Sequence, residues 1–213
     1  MSRRGLFITF EGGEGSGKST QILRLAQRLE AAGIAVRTLR EPGGTAVGEV
    51  VRTLLLDPEH VGLTPAAELM LYEASRAQLV AEVIEPALAA GEVVLCDRFY
   101  DSTTAYQGFG RGLDLARIRQ LNAAATDGLA PDRTLVLDVE PAVGIERATR
   151  LGADRLEAES IAFHERVRAG FAAIAAEEPE RVRIVDASGD VDAVSALVAA
   201  ALSDVPLLAR VLA

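Results

Sequence analysis

The stretch FEGGEGSGKST, residues 10–20, contains four glycines and a lysine directly after the apolar run Leu6–Phe10. Residues 12–19 match the pattern G-x-x-x-x-G-K-[ST] in full, between a predicted strand and a predicted helix, which is the context that the pattern requires. Glycine allows backbone N–H groups to approach a polyphosphate with no Cβ atoms in the way. The stretch therefore predicts a phosphate-binding loop that opens a helix.

The loop chemistry points to a nucleoside triphosphate and to Mg²⁺. A helix beginning near Lys18 points its positive end at the phosphates. Lys18 is expected to bridge the β- and γ-phosphates, and the Ser19 hydroxyl is expected to bind Mg²⁺. The predicted triphosphate-binding residues are Gly12, Gly13, Glu14, Gly15, Ser16, Gly17, Lys18, Ser19 and Thr20. Motors, GTPases, ABC-type ATPases and small-molecule kinases all carry such a loop, so the rest of the chain must decide among them.

Short apolar runs alternate with helical patterns along the whole chain. One helix is predicted over Lys18–Ala32, ended by Gly33, and another begins at Thr64-Pro65 and runs toward Glu85, where Pro86 interrupts it. The predicted strands are Gly5–Phe10, Ala35–Leu39, Glu92–Cys96, Arg133–Asp138 and Arg181–Val185. This alternation predicts an α/β domain with a parallel sheet, doubly wound by helices.

Composition excludes several classes of protein. The 213 residues carry a net charge of −9 with no lysine- or arginine-rich block and no tryptophan, which disfavours nucleic-acid binding. No apolar run approaches the roughly 18 residues that span a bilayer, and no signal peptide is evident. A single cysteine, Cys96, suits a reducing compartment, so the cytoplasm is expected. His60 and His164 are too few for a metal site, and each is expected at the surface or in a loop.

Four predicted strands are followed by or end in an acid: Glu11, Asp97, Asp138 and Asp186. Ligands bind beyond the carboxyl ends of parallel strands. For Asp138 and Asp186, capping of the next loop or helix is the favoured interpretation. Asp97 instead fits the acid that holds Mg²⁺ in phosphate-binding folds, with Arg98 placing a positive fork beside the phosphates.

An arginine interrupts an apolar helical stripe at Arg76. The stripe consists of residues spaced three or four apart: Leu69, Tyr72, Arg76, Leu79 and Val83. A buried arginine requires a carboxylate or a ligand acceptor to offset its desolvation. An internal salt bridge and a ligand contact both remain open, and Tyr72 is either a core aromatic or a stacking surface for a planar ligand.

Several ordered stretches together resemble the bacterial thymidylate kinase family, over about residues 6–188. They are FEGGEGSGKST, REPGGT (40–45), SRAQL (75–79), DRFYDSTTAYQG (97–108) and DRLE (154–157). The resemblance implies a P-loop kinase fold, a five-stranded parallel sheet flanked by helices on both faces, in a single domain over residues 1–213. It implies transfer of the γ-phosphoryl group of ATP to dTMP, with Mg²⁺, by a homodimer.

The resemblance also implies roles for individual residues. Glu14 is the loop carboxylate at the acceptor end, and Arg98 bridges the dTMP phosphate and the transferring group. Tyr72 stands where the family has a thymine-stacking phenylalanine, and Arg76 matches the arginine that hydrogen-bonds the base. The remaining substrate residues are Arg40, Pro42 and Gly43 on the phosphate side and Ser102, Thr103, Tyr106 and Gln107 on the nucleoside side.

The resemblance further implies a lid, over about residues 146–158. The family supplies an arginine near the γ-phosphate either from the loop or from the lid, and here Glu14 is followed by Gly15, so the lid is expected to supply it. Arg150 and Arg155 are favoured over Arg147, although at least one of the three is expected to be solvated. The apolar tail, residues 205–213, either packs on the domain or frays.

Two other functions stay open from the sequence. Another nucleoside monophosphate or deoxynucleoside kinase has the same kind of strand-end Asp-Arg pair. A nucleotide-binding protein with little turnover is the alternative from a different class, although the set Lys18, Ser19, Asp97 and Arg98 argues against it.

Overall fold

Five parallel strands form one sheet in the order β2-β3-β1-β4-β5. The computed structural model describes residues 4–57, 59, 62–148 and 155–212. The strands are β1 Leu6–Glu11, β2 Val36–Arg40, β3 Val93–Asp97, β4 Arg133–Asp138 and β5 Val182–Asp186. Each lies within one residue of its prediction, and the predicted five-stranded parallel sheet is confirmed. The four strand-end acids are the last residues of their strands.

Ten α-helices are described around the sheet, several with the predicted start and stop residues. The Thr64 hydroxyl accepts a hydrogen bond from the Ala67 N–H, and Pro65 is the first helical residue. Gly33, after the first helix, has φ +78°. The helices are α1 Lys18–Ala31, α2 Ala46–Leu56, α3 Pro65–Leu79, α4 Glu85–Ala89, α5 Tyr100–Thr103, α6 Leu115–Thr126, α7 Pro141–Ala148, α8 Ile161–Glu177, α9 Val191–Ala201 and α10 Ala209–Leu212.

Two segments, Val80–Ile84 and Thr104–Gly110, are π-helical, so their turns are wider than those of an α-helix. The first joins α3 to α4, so the predicted interruption near Pro86 takes the form of a wide turn just before it. There the Glu85 N–H donates to the Val80 carbonyl, and Pro86, which has no N–H, follows. The second segment follows α5 and carries Tyr106 and Gln107.

Helices cover both faces of the sheet. Ile8 and Phe10 point to a core shared with α1 and α9, while Phe7 points to the opposite core, shared with α3 and α4. The tail belongs to the first core, because Val205 and Leu208 are buried in it. Of the two possibilities for the tail, packing on the domain is therefore correct over its described residues. Within the described ranges, no helix is long and apolar enough to cross a membrane.

Candidate active site

A cleft of about 510 Å³ opens at the carboxyl ends of the central strands. Most residues predicted from the sequence line it: Glu14, Gly15, Ser16, Gly17, Lys18, Ser19, Thr20, Arg40, Pro42, Tyr72, Arg76, Asp97, Arg98, Ser102, Thr103, Tyr106 and Gln107. Gly12 and Gly13 line a small adjoining cavity behind the loop. Gly43 lies in the β2–α2 loop, where its N–H donates to the Ser75 hydroxyl at 3.2 Å.

The glycine-rich loop is pressed against the neighbouring backbone. Gly12 has φ +128°, and a Cβ atom there would lie 2.3 Å from the Leu137 carbonyl oxygen. Gly15 has φ +60°, and its Cβ would lie 2.1 Å from the Gly144 carbonyl oxygen in α7. A side chain at either position would collide with backbone atoms and would also strain the left-handed conformation. The sequence therefore needs glycine here for space as well as for backbone freedom.

The ammonium group of Lys18 contacts three groups of the glycine-rich loop. Its Nζ donates to the Gly13 carbonyl at 2.8 Å, the Gly12 carbonyl at 3.3 Å and the Ser16 hydroxyl at 3.2 Å. Burial and then the Arg98 charge lower the pKa of this lysine, although nearby carboxylates oppose the shift. Lys18 is also the first residue of α1, so its charge adds to the positive end of that helix.

Ser19 and Asp97 meet at the same edge of the cleft. The Ser19 hydroxyl donates to the Asp97 carboxylate at 2.7 Å, from the start of α1 to the end of β3. Hydroxyl and carboxylate oxygens are hard donors, and Mg²⁺ is usually held by one or two such groups together with waters and phosphate oxygens. The donor set that the structure brings together thus fits Mg²⁺.

Arg98 is the centre of a hydrogen-bonded cluster. Its Nη2 donates to the Glu14 carboxylate at 2.7 Å and to the Tyr106 hydroxyl at 3.1 Å, and that hydroxyl donates to Glu14 at 2.7 Å. Its Nη1 donates to the Gly12 carbonyl at 3.0 Å and the Ser102 hydroxyl at 3.1 Å. The backbone of Arg98 has φ +69°, and such strained positions concentrate at functional sites.

The Glu14 carboxylate is charged at neutral pH. Burial alone would raise its pKa, but the charges of Arg98 and Lys18 and the hydrogen bond from Tyr106 outweigh burial and lower the pKa to about 2. A carboxylate with so low a pKa is a poor proton acceptor. Glu14 is therefore suited to orienting the neighbouring cations and poorly suited to abstracting a proton.

Glu11, three residues earlier, has a raised pKa, whereas the pKa of Glu14 is lowered. Burial and the nearby Asp101 raise its pKa to about 8, although the Ser102 hydroxyl and the Phe99 N–H both donate to it. These bonds are 2.5 and 2.8 Å long. Glu11 thus fixes the Phe99 backbone and the Ser102 side chain, which follow Arg98 in the chain. We interpret it as a structural residue beneath the cleft.

Of the two alternatives that the sequence left open for Arg76, the structure shows the internal salt bridge. It is only 1% exposed and makes ion pairs of 2.9 Å with both Glu41 and Glu73. It also donates to the Thr103 hydroxyl at 2.9 Å, and it lines the cleft. The internal salt bridge is present, and the guanidinium still borders the site where a ligand would lie.

Sequence reasoning missed both acidic partners of Arg76, although each had a usable signal. Glu41 directly follows β2, so the strand-end rule that identified the other acids applies to it as well. Glu73 lies three residues before Arg76 on the same helix, a spacing that brings side chains together. Arg52, which also lines the cleft, had no such signal.

Two of the three lid arginines, Arg147 and Arg155, lie among the described residues. Arg147, at the end of α7, lines the cleft near Gly15. Arg155 instead donates to the Leu55 carbonyl at 2.7 Å and pairs with Glu68 at 2.7 Å. Arg150 lies outside the described residues.

The predictions for the two histidines and for two of the strand-end acids have mixed outcomes. The surface or loop position expected for His164 is wrong, because this residue is 4% exposed within α8, where burial lowers its pKa. His60 lies outside the described residues. Asp186 caps the following turn as expected, accepting from the Ser188 N–H at 2.9 Å. Among the described residues, Asp138 caps no loop or helix; its two oxygens accept from Arg168 at 2.7 and 2.8 Å, because that guanidinium faces it from α8.

Comparisons with known proteins agree with this geometry. The family model described as thymidylate kinase matches residues 10–198. The chain is 54% identical over 202 residues to the thymidylate kinase of Deinococcus radiodurans, covering 94% of this chain and 98% of that one. It is 59% identical over 186 residues to that of Synechococcus sp. (strain JA-3-3Ab), covering 86% and 88%. A crystal structure of thymidylate kinase from Ehrlichia chaffeensis matches with a TM-score of 0.72 at 39% identity, covering 85% and 93%.

Proposed function

The chain belongs to the thymidylate kinase family, and on that premise we propose that it transfers the γ-phosphoryl group of ATP to dTMP, giving dTDP and ADP. The observation that carries the proposal is one cleft in which the Arg98–Glu14–Tyr106 cluster faces Lys18. Phosphoryl transfer depends on alignment and on neutralising negative charge rather than on covalent chemistry. Two fixed cations beside a glycine-rich loop supply both.

The ATP side of the cleft is the loop, residues 12–20. Its backbone N–H groups and the start of α1 would hold the phosphates, and Lys18 would exchange its loop carbonyl contacts for phosphate oxygens. Ser19 and Asp97 would hold Mg²⁺. When bound, Mg²⁺ neutralises charge on the phosphate oxygens.

The dTMP side is formed by α3 and the second π segment. Tyr72 would stack on the base, while Arg76, Thr103 and Gln107 border its edge. The acceptor phosphate would lie against Arg98, which Glu14 orients. We assign the remaining contacts with dTMP, on the family resemblance, to Arg40, Pro42, Gly43, Ser102 and Tyr106.

No general base is required in this scheme. The acceptor phosphate is already anionic at neutral pH, and the low pKa of Glu14, about 2, makes it a positioning group. Arg98 would contact both the acceptor phosphate and the transferring group, and would stabilise the negative charge on each. This division of labour predicts that loss of Glu14 misplaces Arg98 but does not remove an essential proton acceptor.

The lid, about residues 146–158, would close over the phosphates and exclude water, so that ATP is transferred and not hydrolysed. Arg147 already lines the cleft, which supports a role in stabilising charge on the transferring group. Arg150 and Arg155 remain candidates from the sequence, but Arg155 would first have to leave the Leu55 carbonyl. Comparing the turnover of three single arginine-to-alanine variants would rank them.

We place the enzyme in the cytoplasm as a homodimer, on the family resemblance. An apolar row on one face of α2 supports self-association, since Val47, Val50 and Leu54 are 53, 65 and 40% exposed. Light scattering should give a dimer mass, and Val50→Glu should lower it. Leu23→Glu on α1, at a site that is 58% exposed, is the matched control and should leave the mass unchanged.

A coupled assay of ADP formation with a panel of acceptors tests the function. The enzyme should prefer dTMP to dUMP, dCMP and AMP, and should not phosphorylate thymidine. A preference for thymidine or AMP would support the alternative of another nucleoside or monophosphate kinase. Binding of ATP and dTMP without dTDP formation, with Mg²⁺ present, would indicate a binding protein of low turnover.

A further inference from the structure

The buried carboxylate of Glu68 contacts three side chains from other parts of the chain, those of Gln107, Arg111 and Arg155. It lies in the first turn of α3 and is 1% exposed. It accepts a hydrogen bond from the Gln107 Nε2 at 2.8 Å and from Arg111 at 3.1 and 3.2 Å, and it pairs with Arg155 at 2.7 Å. Glu68 is not among the residues lining the cleft, so it acts through its neighbours.

The bond from Gln107 decides which way the side-chain amide faces. An ionised carboxylate can only accept hydrogen bonds, so only the NH₂ end of the amide can face it. Burial would raise the pKa of Glu68, but the hydrogen bonds from Arg111 and Gln107 and the arginine charges outweigh burial and lower it, which keeps the group ionised. The Gln107 carbonyl oxygen is therefore the end that remains for a ligand in the cleft.

The fixed amide creates a pattern of donors and acceptors at the nucleoside end. The Arg76 guanidinium can only donate, and a base would share the Nη2 hydrogen that goes to the Thr103 hydroxyl, while the Gln107 oxygen can only accept. Thymine and uracil present a carbonyl oxygen beside an N3–H group, which complements this pair. Cytosine presents an amino group beside an unprotonated ring nitrogen, so both contacts would oppose like groups.

We propose that Glu68 is a specificity-determining positioning residue, which orients the Gln107 amide so that the cleft accepts thymine or uracil and rejects cytosine. The inference rests on the nucleoside site assigned above to α3 and the second π segment. It assigns discrimination between bases to a residue that the substrate does not touch.

Glu68→Gln tests the proposal because it keeps the shape and lets the Gln107 amide face either way. We expect the ratio of kcat/KM for dTMP to that for dCMP to fall about tenfold, the value of one hydrogen bond. The ratio of dTMP to dUMP should stay unchanged, because the two bases share the same edge and differ in a methyl group. Loss of both ratios together would mean general loosening of the pocket and would overturn the proposal.

Arg111→Lys is the matched control, since it disturbs the same ion-pair cluster but leaves the Glu68–Gln107 bond. It should keep the dTMP-to-dCMP ratio, even if thermal unfolding shows a similar loss of stability. Gln107→Met should itself lower that ratio, and adding Glu68→Gln to it should lower the ratio no further. A further loss in the double variant would contradict an action through Gln107.

Folding is checked by circular dichroism, and if Glu68→Gln does not fold, Glu68→Asp keeps the acceptor and should keep the ratio. Gln107→Met removes no ion pair, so full discrimination in that variant overturns the proposal by itself. The unmodified enzyme is measured first. If it does not favour dTMP over dCMP, the assigned nucleoside site is wrong; if it does and Glu68→Gln changes nothing, only the role of Glu68 is wrong.

Discussion

Replacing Arg98 with leucine should separate the structural and catalytic contributions of this side chain. The Arg98–Glu14 ion pair measures 2.7 Å, and its side chains are 16 and 15% exposed. Removing one partner of a buried pair costs about 3–5 kcal/mol, and the residual exposure places this pair near 3 kcal/mol. Leucine also has a Cβ, so the strain of φ +69° is common to both proteins.

Turnover of the Arg98→Leu variant should fall further than its lower free energy of unfolding would explain. An arginine that stabilises charge in phosphoryl transfer contributes about 10³-fold or more to turnover. Turnover is measured as ADP formation at saturating ATP and dTMP, and the free energy of unfolding is measured by urea denaturation. Both are measured under conditions in which the variant is folded.

A second substitution, Glu14→Gln, on top of Arg98→Leu distinguishes the two contributions. It removes the unpaired buried charge, so about 2 kcal/mol of the free energy of unfolding should return. Turnover should stay low, because no cation faces the acceptor phosphate. Recovery of turnover in the double variant, or loss of less than tenfold in the single one, would refute the role given to Arg98.

Three further outcomes are expected. Lys18→Ala should lower turnover by at least about 10²-fold in the same assay, and turnover within tenfold of the unmodified enzyme would contradict its placement at the phosphates. Gly15→Ala should destabilise by about 1–3 kcal/mol in thermal unfolding, since its Cβ would lie 2.1 Å from the Gly144 carbonyl. Gly13→Ala should not, because no atom of the described residues lies within 4 Å of its Cβ. The Glu11 pKa of about 8, above the usual 4.5, adds stability below pH 4.5 that is lost toward pH 8. Urea denaturation should show that Glu11→Gln lacks this loss of roughly 1.4 kcal/mol per pH unit, and equal slopes would contradict the raised pKa.

Where sequence reasoning succeeded, the information was local. The strand ending at Glu11, the helix starting at Lys18 and the stop at Gly33 follow from residues a few positions apart. Where it went wrong, the partner was distant in sequence. His164 is buried by packing that its own neighbours in sequence do not reveal, and Asp138 pairs with Arg168, thirty residues away.

The sequence by itself determined the phosphate-binding loop, the parallel sheet and the positions of Lys18, Ser19 and Asp97, because backbone preference and apolar periodicity act over short spans of chain. Only the tertiary structure decided the charge state of Glu14, the partners of Arg76 and the orientation of Gln107. The physical reason is that these properties depend on burial and on charges brought together from distant elements. Desolvation and Coulomb energy are set by distance in space, which spacing in the chain does not give.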